Sequence, residues 1–429
     1  MRTLILGTSL RGLAQAARMS LADGAEVVVY DAEVADPPPD LVGRVSVLPK
    51  QWDTSYLDGI DLVVTSPWFP EVAPPIADVL EAGIEVITEA GFALQHLDMP
   101  FIAVTGTNGK TTVTGLITEM LRASGVQAIG AGNVGSAVSD IVDGTGDLLV
   151  LELSSYQLRF LGRSVPIAAA LLNIAPDHLD WHGTFAAYAD AKAQIFKDMG
   201  SDATLAYNVE DQNVVNAVLR AQCTLVPCSA SGVPEQGNGV LDGRVIIGGH
   251  EFNAPISDPS FLFDLVVAGT VALACGATLE GVAEAIGSFV PGDHRRQVVD
   301  TDDGITWIDD SKATNPHAAV AAVAAHAPVI LLAGGQNKGL DLSPITRLAG
   351  VSELIAFGEA GPEIGRDAQS DVTVVGTLGA AISAARAVAS VGDTVLLSPG
   401  CASFDEFSSY AERGDEFQRM VKHPNGTAV

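Results

Sequence analysis

One phrase recurs from end to end of this chain: a short run of Val, Ile and Leu, a Gly or Asp/Ser turn, then an Ala-rich helical pattern. It is spelled by TLILG (3–7) before a helix to about Leu21, by AEVVVYD (25–31), and by FIAVTG (101–106) before a helix to Ser124. It returns in DLLVLELS (147–154), IAAALLN (167–173), ITWIDD (305–310), PVILLAGG (328–335), ELIAFG (353–358) and DTVLLSPG (393–400). Near-continuous apolar strands alternating with helices are buried on both faces, the condition of a parallel sheet covered on each side. The fold class is therefore α/β, without a fixed-period repeat.

The 429 residues exceed one ordinary core. QHLDMP (95–100) interrupts the pattern, polar turns with short antiparallel strands fill 230–258, and FVPGDHRRQ (289–297) reads as a hinge. Three domains are expected: 1–94, 95–291 and 292–429.

The strongest local signal is FIAVTGTNGKTTVTGLITEML. A strand runs into Gly106, Thr107, Asn108, Gly109, Lys110, Thr111 and Thr112, and a helix follows directly. Such a turn closes backbone N–H groups around a phosphate at the positive end of the helix. Lys110 is placed to neutralise β- and γ-phosphates, and the Thr111 hydroxyl to ligate Mg²⁺. Val104 stands where the full G-x-x-x-x-G-K-[ST] pattern has its first glycine. About 40 residues on, Glu152 ends an apolar strand, and a buried carboxylate needs a partner or a metal. Alone it reads as a cap or ion-pair partner; after a phosphate loop in the same sheet it reads as a Mg²⁺ ligand.

Asn173, Asp177, His178, Asp180 and His182 crowd the end of another strand, and Lys192 sits on the next helix, where a lone lysine ordinarily faces solvent. In GDHRRQVVDTDDGITWIDDSKATN, Arg295, Arg296, Asp309, Asp310, Ser311, Lys312 and Thr314 flank a strand. They read as phosphate-binding groups at a domain seam or as surface ion pairs. Lys338 and Ser403 follow two further strand ends, where open parallel sheets bind ligands. The N-terminal GTSLRG, with Asp31 closing the second strand, resembles a dinucleotide-type βαβ unit. Gly7 and Gly12 serve there either close packing or phosphate contact.

Composition narrows the function. With 52 Asp+Glu against 23 Lys+Arg the net charge is −29, which argues against a general nucleic-acid binder and disfavours an anionic membrane. Four cysteines without C-x-x-C spacing read as small core fillers in a reducing cytosol. Ala318 to Ala333 is broken by His326 and Pro328, and reads as a helix followed by a buried strand rather than a span. The N-terminus has no signal-peptide pattern, so a cytoplasmic protein is expected.

GTNGKTT, ELSSYQL, NIAPDHLD, AKAQIF, DHR and IDDSKATN together resemble the Mur ligases, ATP-dependent amide-forming enzymes of peptidoglycan precursor synthesis. DDSKATNP, GGQNKGLDLSP and SPGCASFDEFSSYAERGDEF resemble its D-glutamate-adding branch. The resemblance implies a Rossmann-like N-terminal UDP-substrate domain, a central P-loop-type ATPase domain and a C-terminal Rossmann-like amino-acid domain. It implies ATP on residues 106–112, with Thr111 and Glu152 at one Mg²⁺, and His178 and a carbamylated Lys192 at a second. Arg295, Asp310 and Lys312 would meet nucleotide and phosphates, with Lys110, Glu152, His178, Lys192 and Lys312 the catalytic set. Asn133 would contact UDP-N-acetylmuramoyl-L-alanine, and Lys338, Ser403 and Tyr410 the D-glutamate. The family's H-N-x-x-N is replaced by residues 260–264, leaving Asp264 for adenine. The family's G-E-x-E-L becomes TEAGF (88–92), which leaves Ser9, Leu10, Arg11 and Asp31 for the uridine diphosphate. A monomer without nucleic-acid or membrane partners is expected. The alternatives are another Mur-type or folylpolyglutamate-type ligase, or a non-ligase P-loop ATP-binding protein.

Overall fold

The structure is a computed structural model, and it describes residues 1–7, 11–32, 37–66, 69–133, 135–142, 144–368 and 372–423. Three sheets carry the fold. The first is wholly parallel, in the order Ser46–Val47, Glu26–Tyr30, Arg2–Leu6, Leu62–Thr65, Glu85–Thr88. The second runs His250–Phe252, Arg244–Ile247, Asn238–Leu241, Thr224–Ser229, Thr204–Asn208, Ala168–Leu171, Phe101–Thr105, Leu148–Glu152, Ala128–Gly132. Its first two pairings are antiparallel and the rest parallel, as the polar stretch around 230–258 predicts. The third runs Gln297–Val299, Thr306–Asp309, Thr394–Gly400, Val329–Gly334, Val351–Phe357, Val372–Val374. Only its first pairing is antiparallel.

Burial explains why these segments are strands. Every residue of Phe101–Thr105, Leu148–Glu152 and Val329–Gly334 is buried, because helices cover both faces. The stretch from Ala318 resolves into the helix Pro316–His326 and the strand Val329–Gly334. No helix among the described residues is long and apolar enough to cross a membrane.

The chain forms two compact units: 1–174 with 181–257 and 261–289, and 290–429 with 175–180 and 258–260. In the first unit the N-terminal and central sheets share one apolar cluster, in which Ile5, Leu13 and Val64 join Leu149, Leu158 and Leu171. Polar contacts follow the same seam. The Thr88 N–H donates to Phe160 O at 2.7 Å, and the Ser139 N–H to the Glu89 carboxylate at 2.8 Å. Burial pushes the Glu89 carboxyl above its ordinary range. The free cysteines divide evenly: Cys228 and Cys401 fill the core as expected, whereas Cys223 and Cys275 are only half-buried. Those last two lie at element ends and pack against the edge of a core.

Candidate active site

The strand Phe101–Thr105 runs into Gly106, and the helix Lys110–Ala123 begins four residues after that glycine. Gly109 caps that helix at φ +87, and a Cβ there would stand 2.8 Å from Asp264 Oδ1. Only glycine meets both conditions without strain. The loop is braced from the neighbouring strand end: the Asn108 N–H donates to Asn173 Oδ1 at 2.8 Å, and the Thr107 N–H to Asn173 O at 2.9 Å. A third brace comes from Tyr188, whose hydroxyl lies 2.9 Å from that of Thr107. The bracing fixes the loop in front of the helix Lys110–Ala123, whose positive N-terminal end attracts a phosphate.

Two ammonium groups converge on one carbonyl. Lys110 Nζ donates to Gly106 O at 2.9 Å and to Thr107 O at 3.0 Å, and Lys192 Nζ donates to Gly106 O at 2.7 Å. Lys192 is 1% exposed, with its Nζ 4.7 Å from the Tyr188 ring centroid, so it does not face solvent as a lone helical lysine ordinarily does. Glu152 is buried and accepts from Asn133 Nδ2 at 3.0 Å. Thr111 and Glu152 line one cavity of about 250 Å³ with Thr114, Thr118 and Gly130. A hydroxyl and a carboxylate around such a space are the hard donors that Mg²⁺ takes, so these residues fit that ion. No group of three or more His, Cys, Asp or Glu able to hold a metal occurs among the described residues. Thr112 is half-buried in the first helical turn.

In the second unit, Asp177 accepts from Lys338 Nζ at 3.0 Å and from Asn315 Nδ2 at 3.3 Å. Burial opposes its charge, but Lys338 and His178 together hold the carboxyl below its usual range. His178 sits at φ +54 with Nε2 3.7 Å from Asp177 Oδ2. Asp310 is pushed up to about 7 by burial, against the pull of Arg296, a 2.8 Å hydrogen bond from Ser398 and Arg295. Arg295 is half-buried, and Arg296 pairs with Asp258. Lys312 and Tyr410 meet, with Nζ 5.1 Å from the ring centroid. Ser403 is buried, and its carbonyl accepts from the Phe407 N–H at 2.8 Å.

The carried-over uridine positions are the least described. Ser9 and Leu10 lie outside the described residues, Arg11 opens the helix Arg11–Ala22, and Asp31 is buried after the strand Glu26–Tyr30. Gly7 takes φ +90, a conformation that favours glycine, and a Cβ on Gly12 would stand 2.9 Å from the Glu89 carboxyl carbon, a close approach of helix to side chain.

Sequence reasoning passes over Arg413. It is 1% exposed and donates to Ser311 O at 2.8 Å, Ala402 O at 3.0 Å and Cys401 O at 3.1 Å. Burial lowers its pKa to about 10. Its only sequence signal is a basic residue on the apolar stripe of the helix Tyr410–Lys422, with Phe417 and Val421.

A parallel sheet with a glycine–lysine–threonine loop at a central strand end defines a nucleotide-phosphate-binding α/β protein, and its likeness to known proteins gives the class. Residues 104–237 match the Mur ligase middle domain and residues 294–401 the Mur ligase glutamate ligase domain. A UDP-N-acetylmuramoylalanine–D-glutamate ligase of Frankia casuarinae is 38% identical, over 99% of this chain and 94% of its own length. The ligase of the same name from Rubrobacter xylanophilus is 38% identical over 98% of each chain. The chain belongs to the UDP-N-acetylmuramoylalanine–D-glutamate ligase family. Its fold is that of solved Mur ligases. It is similar to MurF of Acinetobacter baumannii (TM-score 0.61, 15% identity, 86% of this chain and 93% of that one). It is also similar to MurF of Thermotoga maritima in complex with ADP (TM-score 0.59, 16% identity, 92% and 94%).

Proposed function

We propose that this chain adds D-glutamate to UDP-N-acetylmuramoyl-L-alanine at the expense of ATP, in cytoplasmic peptidoglycan precursor synthesis. The observation that carries the reading is the braced 106–112 loop opening on the cavity shared by Thr111 and Glu152, in a chain of this family. The γ-phosphoryl group of ATP passes to the L-alanine carboxylate, giving ADP and an acyl phosphate. The D-glutamate amine then attacks the acyl carbon, and collapse of the tetrahedral adduct expels phosphate and leaves the amide.

The loop 106–112 and the start of its helix hold and orient the phosphates, while Lys110 offsets their charge. Thr111 and Glu152 would hold one Mg²⁺, and His178 and Lys192 a second. Bound there, the ion neutralises charge building on the transferred phosphoryl group. Arg295, Asp310 and Lys312 serve nucleotide and phosphates, with Asp264 beside the loop at Gly109. Asn133 serves the muramoyl substrate, and Ser9, Leu10, Arg11 and Asp31 its nucleotide. Lys338, Ser403 and Tyr410 hold the D-glutamate. We read the tasks as divided among 1–94 for the UDP substrate, 95–291 for ATP and 292–429 for the amino acid. One chain supplies every group named, so a monomer suffices.

Lys192 acts as a carbamate. Two ammonium groups on the single Gly106 carbonyl repel one another. Loss of one proton from the ammonium frees the Nζ lone pair to form an N–C bond with CO₂, and loss of a second leaves a carbamate anion, a carboxylate-like ligand that attracts Lys110. The reading is tested by phosphate release from ATP with UDP-N-acetylmuramoyl-L-alanine, Mg²⁺ and single amino acids, with the product weighed by mass spectrometry. D-Glutamate should stimulate release and appear in the product. Stimulation by another amino acid instead, or release independent of the muramoyl substrate, would refute it.

A further inference from the structure

We propose that Tyr410 is a positioning residue for Lys312: the face of its ring holds the lysine ammonium at the place where it meets the phosphates. The inference rests on the ligase reading and gives Tyr410 a task beyond the amino acid. Lys312 Nζ lies 5.1 Å from the Tyr410 ring centroid, inside the ~6 Å range over which a ring quadrupole attracts a cation.

The ring is itself fixed from several sides. Tyr410 opens the helix Tyr410–Lys422, and its carbonyl accepts from the Ser311 hydroxyl at 2.7 Å. Its ring meets the His294 ring edge-on, with centroids 6.5 Å apart at 76°. His294 is held in turn by the fully buried Asp309, through Nδ1 at 2.7 Å. The Lys312 N–H donates back to His294 O at 3.2 Å, and the Ser311 N–H to Asp309 Oδ1 at 3.0 Å. Backbone and side chain of Lys312 are thus gripped by the same three-element frame. A Cβ on Gly414, one turn beyond Tyr410, would stand 2.1 Å from His294 Nδ1, so the helix can approach this closely only with glycine there.

A lysine stem has four rotatable bonds and much rotamer freedom to lose. A flat ring beneath the ammonium removes that search before the phosphates arrive, which is where positioning gains rate. The ring itself carries no net charge, so its pull on the ammonium leaves the lysine's charge in place.

The test separates Lys312 from the amino acid by leaving D-glutamate out. Acyl phosphate formed from ATP and UDP-N-acetylmuramoyl-L-alanine in a single turnover is trapped by borohydride reduction and counted. Tyr410→Leu should slow this step about tenfold, the scale of a partly desolvated cation–π contact, and Tyr410→Phe should recover it to within about twofold. Combined with Lys312→Ala, the leucine change should cost nothing more. Incorporating 3,4,5-trifluorophenylalanine at 410 keeps the shape and weakens the quadrupole, and should slow the step relative to phenylalanine even if the leucine variant misfolds. An unchanged rate in the leucine or fluorinated protein, or multiplying losses in the double variant, overturns the proposal. Absence of trapped acyl phosphate from the wild type overturns the ligase reading itself, and the proposal with it.

Discussion

At the scale of the residue, position 192 makes the sharpest claim. A lysine 1% exposed has given up its hydration, and here it shares the Gly106 carbonyl with a second ammonium. Such a cation is costly to keep. Lys192→Ala is expected to lower kcat by roughly a thousandfold, the scale of removing one preorganised charge from a transition state. Added short carboxylic acids should return part of the rate, because a free carboxylate can occupy the space of the missing carbamate. Turnover measured with and without acetate or formate checks this, and a wild-type rate in the alanine protein removes the carbamate from the mechanism. The sequence discloses Lys192 only through its company of motifs. Its own segment reads as an ordinary exposed helix position: Tyr188 shares its helix one turn back, but Gly106, whose carbonyl takes the ammonium, is 86 residues away in the loop before another helix.

Among elements, strands with both faces buried are legible as unbroken apolar runs, and the phosphate loop between strand and helix is legible for the same reason. The pattern passes over Ala128–Gly132, AIGAG, an edge strand whose glycines and partial exposure blur its period. Yet that strand sets Glu152. Gly132 takes φ +113, and a Cβ there would stand 2.2 Å from Glu152 O. Gly132→Ala must push the two strand ends apart and is expected to cost ~1–3 kcal/mol of stability. It should also raise the Mg²⁺ concentration needed for half-maximal rate by several-fold, since the displaced residue is the carboxylate of the cavity. Denaturant melts and magnesium titrations report the two effects separately; a variant with unaltered magnesium dependence would uncouple Gly132 from the metal site. The third sheet's antiparallel edge Gln297–Val299 was equally hidden, because three residues carry no period.

For the whole molecule, the charge of −29 and the shared cluster of the first two sheets matter most. The acids are spread over the chain, and their mutual repulsion acts against any compact state. Raising salt from 0.01 to 0.15 M shortens the Debye length from ~30 to ~8 Å, so the melting temperature should rise over that range. Thermal scans in sodium chloride test this, and a flat or falling Tm would mean that local ion pairs outweigh the net repulsion. The sharing of one apolar cluster by the N-terminal and central sheets is not readable from sequence. The interruption at 95–100 looks like a linker, while the packing that crosses it is long-range.

The carbonyls of the phosphate loop give the last consequence. With Lys110 tied to Gly106 and Thr107, the loop carries its own placeholder, and nucleotide capture becomes a swap of partners rather than the filling of a void. A phosphate chain on the loop competes for the lysine with two carbonyls of the loop itself, so the strength of its grip is set by the backbone that frames it as much as by the charge it meets.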